Sequence, residues 1–147
     1  MRILLTAALF GSLAFGQVPE LRLQRIASGF QNPTAIAPLP DMSGDMLVLE
    51  QAGRVRLIRN GVVSAQPVIT LTDIMSGGEK GLLGIAFPPG LNAKRYFYLS
   101  FTDAQGHSRV SRFRLNADGT RADLSSEEKI LTITRTRANH NGGGIEF

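Results

Sequence analysis

Apolar and polar residues alternate in short runs along most of this chain, with the period of two that belongs to half-buried strands. Met46-Leu-Val-Leu-Glu50 and Arg54-Val-Arg-Leu-Ile-Arg59 flank Gln51-Ala52-Gly53, which predicts a hairpin with glycine where positive φ is needed. Asn60-Gly61 follows, the dipeptide best suited to a tight two-residue turn. Val62-Val63 and Val68-Ile-Thr-Leu71 then complete a four-stranded sheet that Thr34–Pro38 opens. A second unit repeats this grammar. Leu82–Phe87 is a nearly continuous apolar run, as expected of a strand buried on both faces. Arg95–Phe101 is predicted to pair with Arg109–Leu115 across Asp103–His107, Asn116-Ala-Asp-Gly119 is a turn, and Lys129–Thr134 is the last strand. No stretch of ten or more residues after Gly16 carries a convincing 3.6 period, so helix is nearly absent.

One phrase recurs at the head of each unit: Thr34-Ala-Ile-Ala-Pro-Leu-Pro-Asp41, Leu83-Gly-Ile-Ala-Phe-Pro-Pro-Gly90 and Gly143-Gly-Ile-Glu-Phe147. The step is 49 residues from Ile36 to Ile85 and 60 from Ile85 to Ile145. Periods of that order, filled with short strands, belong to β-propeller blades. At 147 residues the chain is too short for a closed ring, which needs at least four blades of roughly 40–50 residues. The expectation is an all-β chain holding about the first two blades of a larger ring and the start of a third.

Composition narrows the class. A hydrophobic share of 43% and a charged share of 19% describe a globular, soluble chain. Met1–Gly16 reads as a secretory signal peptide: Arg2 supplies the positive start, Ile3–Phe15 is mainly apolar, and Ala14 and Gly16 are the small residues a signal peptidase reads. That run is well short of the roughly 20 residues a membrane span needs, so no stable span is expected. The mature chain, 17–147, should start at or near Gln17 and be exported, to the periplasm or outside the cell. The formal charge of +4 gives only a weak hint of anionic partners. Cysteine is absent, which excludes disulfides, zinc thiolates, a cysteine nucleophile and iron–sulfur ligation. Arg54 and Arg56 alternate with Val55 and Leu57, and Arg112 and Arg114 with Phe113 and Leu115. Spacing of two assigns these arginines to the wet, aggregation-guarding face of edge strands and not to a nucleic-acid surface.

Two segments could carry chemistry. His140 lies in Asn139-His-Asn-Gly-Gly-Gly144, where glycines permit close approach and the asparagines could fix the ring's tautomer. Local chemistry alone favours a structural turn at least as much as a catalytic base. His107, at a polar hairpin tip between Gly106 and Ser108, reads as solvated. Gly77-Gly-Glu-Lys-Gly81 is neither a Walker A loop nor a dinucleotide fingerprint. Like the His140 segment it precedes the first strand of a unit, so the repeat should bring Glu79 and His140 to one end of the channel, where a carboxylate and an imidazole can do acid–base work.

Gly78-Glu-Lys-Gly-Leu-Leu-Gly-Ile-Ala-Phe-Pro-Pro-Gly90, Arg95-Tyr-Phe-Tyr-Leu-Ser100 and Ser108-Arg-Val-Ser-Arg-Phe113 closely resemble the glucose/sorbosone dehydrogenase family. Gly29-Phe-Gln-Asn-Pro-Thr-Ala-Ile-Ala37, Leu47–Leu57 and the asparagine–histidine–glycine end match the same pattern, so the resemblance spans essentially Leu21–Phe147. It implies a six-bladed propeller of the exported aldose dehydrogenases that use pyrroloquinoline quinone, oxidise sugars to lactones and pass electrons to an external acceptor. It also implies that His140 is the base that takes the anomeric hydroxyl proton, and that His140 and Glu79 lie beside cofactor and substrate. Asn139, on the substrate side, stands where some glucose-oxidising members carry an acidic residue. Calcium and the basic cofactor clamp are expected in later blades, so no residue here is assigned to a metal and the 147-residue piece alone should be inactive. The competing readings are a non-catalytic binding propeller resembling hedgehog-interacting protein and a calcium-dependent lactonase, the latter disfavoured by the lack of converging carboxylates.

Overall fold

A computed structural model describes residues 20–41, 43–90, 95–137 and 139–147. The expected leader, Met1–Gly16, and the Gln17 start lie outside the described residues. Among the described residues the chain is all-β, with no helix, in two antiparallel sheets. The first contains β1 (Pro33–Pro38), β2 (Met46–Glu50), β3 (Arg54–Arg59), β4 (Val62–Val63) and β5 (Ile69–Thr70). The second contains β6 (Leu82–Ala86), β7 (Tyr96–Thr102), β8 (Ser108–Leu115) and β9 (Ala122–Ile133). Strands pair in sequence order within each sheet, so both are meanders of the kind the repeat predicts. In the first sheet the fourth position is shared: β4 pairs with the end of β3 and β5 with its start. Pro67, which has no N–H to donate, sits between them.

Turn chemistry sets the meander. Asn60 and Gly61 have φ of 52° and 74°, the two positive values a type I′ hairpin needs, and Gly53 has φ of 102° between β2 and β3. Alternation then sends one side of each strand inward. Leu47 faces Leu57 and Leu49 faces Val55 across β2 and β3, while Phe97 faces Phe113 across β7 and β8 with ring centroids 6.1 Å apart. These side chains, with Leu82, Leu99 and Phe101, form one core between the sheets. Each large apolar side chain so buried contributes about 1.5–3 kcal/mol.

Two sequence expectations need correction. The last strand runs over 12 residues from Ala122, not from Lys129. Its first half, Asp123-Leu-Ser-Ser-Glu-Glu128, shows no alternation because register shifts opposite Val110/Ser111 and Arg112/Arg114 break the pairing there. The arginines are also not on edge strands, because β3 and β8 each occupy the third position in their sheets. Arg54 Nε donates to Glu50 Oε2 at 2.6 Å, and an Arg56 nitrogen lies 3.7 Å from Glu50 Oε1. The Glu50 side chain is fully buried. Arg112 pairs with Glu128 and stacks 4.7 Å over the Tyr96 ring. Of the four, Arg114 is the one that is exposed.

Two glycines of the Gly81-Leu-Leu-Gly84 phrase let neighbouring backbones come close. A Cβ on Gly81 would lie 2.5 Å from the Gln51 carbonyl oxygen, and one on Gly84 would lie 1.9 Å from the Gly143 carbonyl oxygen. The third copy of the repeat therefore docks backbone-to-backbone on β6. Gly84→Ala is expected to destabilise the fold by about 1–3 kcal/mol, the usual range for overpacking. Amide exchange should then accelerate first at 143–145. Unchanged exchange and an unchanged denaturant midpoint would contradict this docking.

Two turn carboxylates and one at the start of β9 carry the acid sensitivity that the structure resolves. Hydrogen bonds from the Ser43 hydroxyl to Asp41, the Thr120 hydroxyl to Asp118 and the Ser125 hydroxyl to Asp123 hold each carboxyl below its ordinary value of 3.8. Such groups bind protons less tightly when folded than when unfolded. Their stabilisation is whole above the unfolded value and drains away as pH falls through the lowered folded values. The triple Asp→Asn variant should therefore show a flatter loss of denaturant midpoint between about pH 5 and pH 2. An unchanged slope would contradict the assignment.

Candidate functional site

The structure brings Glu79 and His140 together at the starting end of β6, although 61 residues separate them in sequence. Glu79 occupies the tip of a tight turn in which Gly77 and Lys80 exchange backbone hydrogen bonds of 3.1 Å. Positive φ at Gly78 (58°) suits a two-residue turn whose first central position is glycine. The first sheet fixes this turn. Gln51 Nε2 donates to the carbonyls of Gly78 (2.8 Å) and Lys80 (2.9 Å), and the Leu82 N–H donates to the Gln51 carbonyl at 2.9 Å.

The His140 segment is held on every side through its backbone. The His140 N–H donates to Glu79 Oε2, and Ser108 Oγ donates to the Asn141 carbonyl at 3.3 Å. Arg135 Nη2 donates to the carbonyls of Asn139, at 3.0 Å, and His140. Gly143 packs on Leu83 so closely that a Cβ there would lie 2.6 Å from the Leu83 Cβ. His140 has a φ of 58°, an uncommon value that histidine tolerates better than most residues. Asn141 is buried, whereas His140, Asn139 and Glu79 are exposed to solvent and to any ligand. The His140 and Glu79 residues are thus joined through the His140 backbone, and both are open to solvent.

Around His140, the residues Thr134, Arg135, Thr136, Arg137 and Asn139 line a cleft of about 230 Å³, together with Ile133. Guanidinium, hydroxyl and amide donors suit a ligand that carries carboxylates or many hydroxyls. Among the described residues no group of three or more His, Asp or Glu could hold a metal ion. A larger opening of about 460 Å³ lies between the 24–30 segment and the sheet face of Ile36, Val48 and Ile58. It is mainly apolar, with Gln24, Arg25 and Thr34 as its polar lining.

His107 departs from the solvated reading, because its Nδ1 accepts the Arg135 N–H at 3.2 Å. Sequence reasoning also missed Gln51 and Arg135. Neither carries a motif of its own. Gln51 lies in the β2–β3 hairpin and Arg135 shortly after β9, and neither position announces a role.

The glucose/sorbosone dehydrogenase family profile matches residues 30–147. A Thermus thermophilus oxidoreductase described as a glucose dehydrogenase superposes with a TM-score of 0.71 and 35% identity, over 86% of this chain and 37% of its own. The PQQ-bound aldose sugar dehydrogenase of Streptomyces coelicolor superposes with a TM-score of 0.73 and 27% identity, over 85% and 37%. Human hedgehog-interacting protein is 24% identical over 141 residues, 85% of this chain and 20% of its own length. The chain therefore spans about a third of the two dehydrogenases. It belongs to the glucose/sorbosone dehydrogenase family. No helix among the described residues is long and apolar enough to cross a membrane.

Proposed function

We propose that this chain is the N-terminal part of an exported quinoprotein oxidoreductase that oxidises aldose sugars to lactones. In this reading the complete protein is a six-bladed propeller that uses pyrroloquinoline quinone and calcium and passes electrons to an external acceptor. The observation that carries it is the contact between the Glu79 carboxylate and the His140 backbone, in a chain of this family. The donor set of the adjoining cleft fits a quinone bearing carboxylates, with Arg137 and the Thr134 and Thr136 hydroxyls as the groups of this chain that would face it.

His140 takes the proton from the sugar's anomeric hydroxyl as the C–H bond breaks and the carbonyl of the lactone forms. The bound quinone supplies the hydride acceptor. Glu79 fixes the His140 backbone with one carboxylate oxygen and offers the other to a sugar hydroxyl. Asn139 presents an amide, not a carboxylate, on the substrate side, which favours hydrogen bonding to neutral hydroxyls. No residue of this chain is assigned to calcium.

The deciding experiment is oxidation of glucose and galactose by the full-length protein, with quinone, calcium and an artificial acceptor supplied. Activity is expected there and none from the 147-residue chain alone. A folded full-length protein without quinone-dependent oxidation would favour the second reading, a binding propeller like hedgehog-interacting protein, which the sequence match to that protein supports.

A further inference from the structure

We propose that Arg135 and His107 are positioning residues that together fix the backbone of His140, an inference that rests on His140 being the base. A side chain cannot act as a base from a wandering loop, and a displacement on the order of 1 Å can cost a hundredfold in rate. The His140 segment has no strand pairing of its own to prevent this, since no described residue of 134–147 belongs to a strand. Arg135 takes the place of that pairing. Its guanidinium donates to two consecutive carbonyls, Asn139 and His140, and so closes the segment 135–140 into a loop from within. The opposite face of the same peptide run is fixed by Glu79 on the His140 N–H.

The loop still needs an anchor to the sheet, and His107 provides it. The Arg135 N–H donates to His107 Nδ1 at 3.2 Å, which requires an unprotonated Nδ1. The His107 backbone is held in turn by Asp103: the His107 N–H donates to Asp103 Oδ1 at 2.8 Å and the Asp103 N–H donates to the His107 carbonyl at 2.9 Å. Asp103 is buried and ion-paired to Arg109 Nη2 at 2.7 Å. A continuous set of contacts therefore runs from the rigid β7–β8 turn through His107 and Arg135 to the backbone of His140. Arg135 could also attract an anionic ligand from the cleft, but its Nη2 already serves the two carbonyls.

The test compares His107→Ala, His107→Asn, Arg135→Ala and wild type. The Asn Oδ1 lies where the Nδ1 acceptor was, so His107→Asn keeps the anchor and His107→Ala removes it. Amide exchange of a peptide covering 139–143 is read first, in the 147-residue chain, with exchange in β7 and β8 as the control for folding. Loss of the clamp should speed exchange at 139–143 by about tenfold in Arg135→Ala and His107→Ala, the scale of one lost hydrogen bond. His107→Asn should stay near wild type. In the full-length protein the same pair of losses should lower kcat while KM for the sugar moves little. Equal exchange in His107→Ala and His107→Asn overturns the anchor, and unchanged exchange in Arg135→Ala overturns the clamp. Should Arg135→Ala also loosen β7 and β8, the two His107 variants decide. Altered exchange in a full-length protein that oxidises no sugar would keep the clamp and discard the dehydrogenase reading.

Discussion

Replacing His140 with alanine is expected to cut sugar turnover in the full-length protein by about a hundred- to ten-thousand-fold, the usual worth of a general base. The reason lies in the timing of the two bond changes. Hydride leaves carbon readily only as the hydroxyl proton departs, so a group that takes that proton acts in the transition state and little in the ground state. Such a loss lowers kcat and kcat/KM together and leaves KM nearly unchanged. His140 is exposed, and the hydrogen bonds described for its segment go to the backbone of Asn139, His140 and Asn141. The other imidazole, His107, is committed to the Arg135 N–H. Quinone binding measured by titration should change far less than turnover. Arg114→Ala, on the outward side of β8, should leave turnover unaffected. Near-normal turnover in His140→Ala would overturn the base assignment and make the binding propeller the better account.

The strands were legible where side chains alternate with period two, and illegible where pairing is irregular. Leu47/Leu49 and Phe97/Leu99/Phe101 announce their strands because large apolar side chains recur at every second position of a regular pleat. Asp123–Glu128 concealed the first half of β9 because a strand at the sheet edge, interrupted by bulges, places few apolar residues in register. The arginines misled for a related reason. Alternation with apolar residues fits an interior strand whose outer face carries ion pairs as well as it fits a solvated edge. Only the three-dimensional arrangement shows Glu50 buried beneath Arg54 and Arg56. At the site, the recurrence of the strand-opening phrase was enough to place Glu79 beside His140. The parts played by Gln51, Arg135 and His107 were not accessible to the same reasoning. They act on backbone atoms, Gln51 and His107 on those of residues distant in sequence, and backbone partners leave no trace in side-chain pattern.

Replacing Arg109 with methionine is expected to destabilise the fold by about 3–5 kcal/mol, because it strands a buried carboxylate. The Arg109 side chain is 6% exposed and that of Asp103 is 1% exposed. Arg109 Nη1 lies 2.7 Å from Asp73 and 3.8 Å from Glu127, and its guanidinium sits 5.8 Å from the centre of the Phe101 ring. Burial alone would lower its pKa. The Asp73 hydrogen bond and the charges of Asp103, Asp73 and Glu127 outweigh that and raise it, so the guanidinium stays ionised across the whole practical range of pH. Methionine fills similar volume but leaves Asp103 with only the Gln105 and His107 N–H donors, at 3.1 and 2.8 Å. Asp73 is half exposed and Glu127 partly so, and water can serve them. The stranded Asp103 charge should therefore dominate the cost. Pairing the change with Asp103→Asn removes that charge and keeps an oxygen for the two N–H donors, so the double variant should recover a large part of the loss. Chemical denaturation of wild type, Arg109→Met, Asp103→Asn and the double variant measures the coupling directly. Strict additivity would show that the pair does not act through charge. Recovery in the double variant would place the stability of the β7–β8 turn, and with it the support beneath His107, in this one ion pair.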